Sequence, residues 1–142
     1  MQLSNHFTLE EFTHSQTAAR LGIGNQVPAQ VMPALQRTAE GLEGVRMRLG
    51  NRPLVISSGY RSPALNTAIG SKPTSQHTTG KAVDFTCPSY GTPTAIMRKI
   101  IDSAIEFDQC ILEFGAWVHI SFSDNPRKQA LVIDANGTRV YK

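Results

Sequence analysis

The hydrophobic residues of this chain change their period part-way along, and that change narrows the possible folds more than any other feature. Val31, Leu35, Leu42, Val45 and Leu49 recur at helical spacing, which predicts a long helix beginning near Pro28 or Pro33 and ending at Gly50. Beyond it the apolar residues gather into short runs that read as strands. Leu54–Ser58 is one, expected to be buried, and Lys81–Cys87 is a second. Asp108–Glu113 and Trp117–Phe122 follow, joined by a turn at Gly115, and Ala130–Asp134 and Thr138–Tyr141 flank the hairpin signal Asn136-Gly137. Thr8-Leu9-Glu10-Glu11 fits a capping box at the start of a short helix. Ser62–Ile69 predicts another short helix closed by Gly70, and Pro93 opens one with Ile96, Ile100, Ile101 and Ile105 as its stripe. Helices early and an antiparallel sheet later imply an α+β fold.

Residues 1–142 suit one small domain, with 40% hydrophobic and 18% charged residues, enough to bury a core. The net charge is only +3, no basic run stands out, and one Trp and three Tyr offer few stacking surfaces. Nucleic-acid binding is therefore not expected, whereas a slightly basic surface suits an anionic polymer. The opening Met1–His6 carries neither basic head nor apolar stretch, so no secretory signal is expected, and no apolar run predicts membrane insertion. Cys87 and Cys110 are expected to be reduced core thiols. His6 and His14 lack partners at ligand spacing and are expected at the surface.

A metal site is the chemistry the residues suggest. Zinc favours imidazole and carboxylate ligands, and a catalytic site uses three of them with one position left open. His77 ends a polar loop, Asp84 lies seven residues on in a strand, and His119 lies in another strand. Asp84 shares a strand face with Ala82 and Thr86, and His119 with Trp117 and Ser121. By spacing alone, such residues are more often satisfied core or strand-end groups. Gly80 would let the backbone turn between the first two.

The full pattern is more specific. Ser75-Gln76-His77-Thr78-Thr79-Gly80-Lys81-Ala82-Val83-Asp84 matches Ser-x-His-x-x-Gly-x-Ala-x-Asp, and resembles the zinc D-alanyl-D-alanine carboxypeptidase family of peptidoglycan peptidases, phage endolysins among them. Trp117–Ser121 is similar to that family's second-histidine motif, Ser57–Ser62 to its Ser-Gly-Tyr-Arg-Ser segment, and Phe7–Phe12 to the start of phage-type members. The resemblance implies zinc held by His77, Asp84 and His119, and a substrate carboxylate or carbonyl held by Arg61, whose planar guanidinium suits a forked contact. It also places Ser75, Gln76 and Trp117 beside the substrate. The implied activity is zinc-dependent hydrolysis of peptidoglycan stem peptides by a monomeric phage or prophage lysin, exported without a signal peptide. A zinc-bearing wall-binding module is the alternative, because the related fold recurs in the Hedgehog signalling domain.

In many relatives an acidic general base stands three residues before the second histidine, where this chain has Ala116. Glu113 is the nearest acid, and turn length decides its role. A three-residue turn, Phe114–Ala116, would pair Glu113 with Trp117 and Ile111 with His119, on the metal face. Glu113 would then lie one diagonal step from His119, roughly 7–8 Å between backbones. A two-residue turn would send Glu113 to the opposite face, because a one-residue slip flips every side chain.

Overall fold

The computed structural model describes residues 1–142. Local signals set the helix ends. Thr8 and Glu11 form the capping box of α1 (Leu9–Thr13), Ser15 caps α2 (Gln16–Leu21), Ser62 caps α4 (Pro63–Ala68) and Thr92 caps α5 (Pro93–Ile101). The long helix α3 is Met32–Arg48, so Pro33 rather than Pro28 occupies its first turn. No helix is long and apolar enough to cross a membrane.

Six strands form one sheet: β1 (Val55–Ser58), β2 (Ala82–Thr86), β3 (Gln109–Glu113), β4 (Trp117–Ser121), β5 (Gln129–Asp134) and β6 (Gly137–Val140), in the order β1-β2-β4-β3-β5-β6. The α+β architecture is as expected, with a correction to the sheet. It is mixed rather than antiparallel, because β5 pairs with β3 in parallel. The chain leaves β4, crosses the start of β3 through residues 122–128, and returns on its far side. Lys128 N–H to Phe107 O (3.0 Å) and Gln129 N–H to Asp108 O (2.9 Å) hold that crossing. A second correction concerns β1, which lies at an edge with Val55 52% exposed; only its Leu54 shoulder is buried.

The helices cover one face. Leu35, Ala39, Leu42, Val45 and Leu49 of α3 and Ile96, Met97 and Ile100 of α5 are buried against Val83, Phe85, Cys110, Leu112, Val118 and Ile120 of the sheet. Truncating such a side chain to Ala typically costs about 2–5 kcal/mol. Cys87 and Cys110 are buried free thiols, and burial pushes the Cys110 thiol far up. Alternation in the strands sends Asp84, His119, Ile111 and Glu113 to the other face. No long helix covers that side, which leaves it open to a ligand.

Candidate metal centre

Register brings the site together. Asp84 of β2 lies directly opposite His119 of β4, and Ile111 of β3 lies on the other side of His119. His77 arrives from the 3-10 turn Gln76–Thr79, which Ser75 caps by accepting the His77 N–H. The turn ends at Gly80 with φ +75°, where a Cβ would also come within 2.8 Å of Val31. Only glycine meets both demands, so the chain can pass sharply from ligand turn to ligand strand.

His77, Asp84 and His119 are all buried, and one donor atom from each lies within 4.8 Å of the others. His77 Nε2 is 3.3 Å and His119 Nδ1 2.9 Å from the same oxygen, Asp84 Oδ1. The other His77 nitrogen, Nδ1, is 2.7 Å from the carbonyl of Gly59 and must donate to it. A neutral His77 therefore turns a bare lone pair toward a carboxylate oxygen. Two acceptors facing each other need a cation between them, either a proton or a metal ion. Burial pushes the Asp84 carboxyl upward, yet the hydrogen bonds from His119 and, when its Nε2 carries a proton as well, from His77 outweigh it and carry it well below the usual range. Two imidazoles and an ionised carboxylate, preset by Gly59, form a donor set that fits zinc.

The Ser57–Ser62 segment clasps the first histidine. Gly59 supplies the carbonyl to its ring, and Arg61 N–H donates to the His77 carbonyl at 3.1 Å. Arg61 is not the exposed turn residue that its place before Pro63 would allow. Its side chain is 13% exposed, with Nε on Ser58 Oγ and Nη1 on Asn66 Oδ1, both at 3.2 Å, and Nη2 3.7 Å from Asp84 Oδ2. Asn66 itself is buried and anchored through Nδ2 to the Lys72 carbonyl at 2.9 Å. Sequence reasoning missed Asn66, and nothing in a six-residue helix singles it out.

Glu113 pairs with Trp117 and Ile111 with His119, the register of the three-residue turn, with Phe114 and Gly115 both at positive φ. Glu113 is half-buried, and Oε2 accepts the indole N–H of Trp117 at 2.7 Å. Burial and the charge of Asp84 raise its carboxyl above the usual range, against the pull of His119 and the indole hydrogen bond. Trp117 thus orients this acid, a contact that the sequence reading did not anticipate. Gln76 donates Nε2 to Asp108 Oδ2 at 2.7 Å and borders the same cavity as His119. His6 bonds Glu43 on the surface, and His14 is exposed at the edge of a cavity that Arg61 also borders.

A family model, described as Peptidase M15, matches residues 5–121. The chain belongs to the peptidase M15 family. The match spans the capped N-terminal helix, the Arg61 segment, the His77 turn and both ligand-bearing strands. M15 peptidases are zinc-dependent and directed at peptidoglycan, and the His-Asp-His cluster is the feature of this member that agrees with that chemistry. No curated protein matches the chain.

Proposed function

We propose that the chain is a single zinc peptidase domain that hydrolyses peptide bonds in peptidoglycan stems, with zinc held by His77, Asp84 and His119. The observation that carries hydrolysis is Glu113, an acid with raised proton affinity on the same sheet face as the cluster. Zinc, when bound, supplies a Lewis acid for the scissile carbonyl and makes water more acidic. Arg61, fixed by Ser58 and Asn66, holds a substrate carbonyl or carboxylate beside Asp84. Glu113 Oε1, the oxygen not engaged by Trp117, takes one proton from the attacking water. The remaining hydroxyl joins the acyl carbon, the C–N bond breaks, and Glu113 returns the proton to the leaving amine nitrogen. A carboxyl tuned upward serves both transfers better than an ordinary one.

The biological setting we propose is a monomeric phage or prophage lysin. It would be made in the bacterial cytoplasm and act on the wall. The alternative is a wall-binding module without catalysis, which the lack of an acid at Ala116 would favour; Glu113 on the cluster's sheet face supports hydrolysis instead. Mass spectrometry of purified peptidoglycan, digested with and without a chelator, tests the proposal. New peptide termini are expected only without chelator. Glu113→Gln should retain zinc and fold while turnover falls on the order of a hundredfold or more. Near-normal turnover in that variant would sink the assignment of the base.

A further inference from the structure

The family match stops at Ser121, so the crossing segment, β5 and β6 lie beyond it. They nevertheless extend the sheet that carries the cluster. Parallel pairing sets Leu131 beside Ile111 and Ile133 beside Glu113, on the cluster's own face. A cavity of about 530 Å³ lies there, bordered by His119, Ile111, Leu131, Ile133, Lys72 and Arg127. A second cavity, of about 450 Å³, lies on the other flank against β1 and α4, with Arg61 on its wall. The strand order puts the cluster between them. With strands about 4.8 Å apart, the path from β1 to β5 is roughly 19 Å, the length of five or six extended residues.

The β5 flank has a definite chemistry. Ile111 is buried and Leu131 and Ile133 are half-buried, so its floor is aliphatic. Arg127 is neutralised by Asp108 through two bonds of 2.8 Å. Lys72 is exposed, has no ion-pair partner, and no carboxylate borders the cavity. One free ammonium over an aliphatic floor suits an extended peptide arm that bears a carboxylate. A peptidase that trims only a C-terminus needs a wall just past the scissile bond, whereas here room lies on both sides.

We infer that the C-terminal hairpin builds a second substrate subsite on the His119 flank. It takes a carboxylate-bearing peptide arm, so the enzyme cuts within a peptide rather than at its end. This rests on the hydrolytic reading above, and the test separates the two. Zinc-loaded Glu113→Gln protein is titrated calorimetrically with a cross-linked muropeptide dimer and with the short probe acetyl-Lys-D-Ala-D-Ala. Wild-type protein digests the same dimer. The dimer should bind at least about tenfold more tightly than the probe. Lys72→Glu and Leu131→Asn, checked for wild-type circular dichroism and zinc content, should each erode that preference about fivefold or more. Digestion should yield fragments cut inside the peptide. Release of free D-Ala alone, equal binding of dimer and probe, or an undiminished preference in both variants would overturn the inference. If wild type cleaves nothing while the dimer still binds in a Lys72-dependent way, the hydrolytic reading fails and the subsite stands.

Discussion

Asp84 and Asp108 are both buried carboxylates of the sheet region, 5% and 3% exposed, and both are held well below the usual carboxylate range. Their partners differ. Asp108 accepts four hydrogen bonds: Arg127 N–H at 3.1 Å, Arg127 Nε and Nη2 at 2.8 Å, and Gln76 Nε2 at 2.7 Å. Every one of those donors carries its own hydrogen, and the carboxylate is saturated. Asp84 instead meets two imidazole nitrogens at one oxygen and a guanidinium at 3.7 Å from the other. Asp108 is finished by the protein, while Asp84 is left with a demand for a cation. Burial and a depressed pKa alone do not mark a functional acid; what distinguishes it is whether its partners can satisfy it.

The sharpest way to break this contrast is to neutralise each carboxylate in turn. Asp84→Asn should lower zinc affinity by at least about a hundredfold, more than the 10–100-fold typical of losing a supporting partner, with only a small change in urea midpoint. Competition with a chromogenic chelator measures the first and urea denaturation of the zinc-free protein the second. Retention of full zinc affinity would remove Asp84 from the metal centre.

Asp108→Ala should reverse the pattern, costing about 2–3 kcal/mol of stability through its lost charged hydrogen bonds. Zinc affinity should fall about tenfold at most, through a loosened Gln76 and the turn it shares with His77. A loss of zinc affinity as large as that of Asp84→Asn would place Asp108 in the metal centre and collapse the distinction.

Acid titration sharpens the comparison. Hydrogen bonds from Arg127 head the causes that outweigh burial and keep the folded Asp108 pKa below its unfolded value near 3.9. The unfolded chain then takes up this proton first. The stabilisation is therefore present above about pH 4 and is lost as pH falls below it. Urea midpoints between pH 3 and 7 should drop less steeply on the acid side for Asp108→Asn than for the wild type. Parallel profiles would mean that Arg127 does not hold this carboxylate.

The smallest effect expected is that of Arg127→Lys. It keeps the charge but loses the fork, and should cost about 1 kcal/mol in urea denaturation with zinc affinity unchanged. A cost near that of Asp108→Ala would show that the whole latch depends on guanidinium geometry.

The same contrast explains what could be read from the sequence. The sequence left the Glu113 register open between a two- and a three-residue turn, while the His77 turn, Asp84 and His119 sit in short motifs whose full pattern, rather than spacing alone, exposes them. The capping box of Thr8 and Glu11 is legible for the same reason. The mixed sheet is not. Nothing within residues 122–128 says whether the chain folds back beside β4 or crosses to the far side of β3. The crossing is held by Asp108 and Arg127, 19 residues apart in sequence. Asn66 was likewise hidden, because its contact with Arg61 depends on how α4 docks rather than on any pattern within it. Helix α2 went unnoticed because six residues show too little periodicity.

Asp84 and His119 are direct cross-strand partners, contributed by strands far apart in the chain. A slip of one residue between β2 and β4 would turn one of them to the helix-covered face and separate their donor atoms. Any ion that needs both is thus bound only by a correctly paired sheet. The proposed metal centre would act as a proofreading check on folding: misregistered chains would hold no ion, and each ion bound would favour the one alignment that made the site.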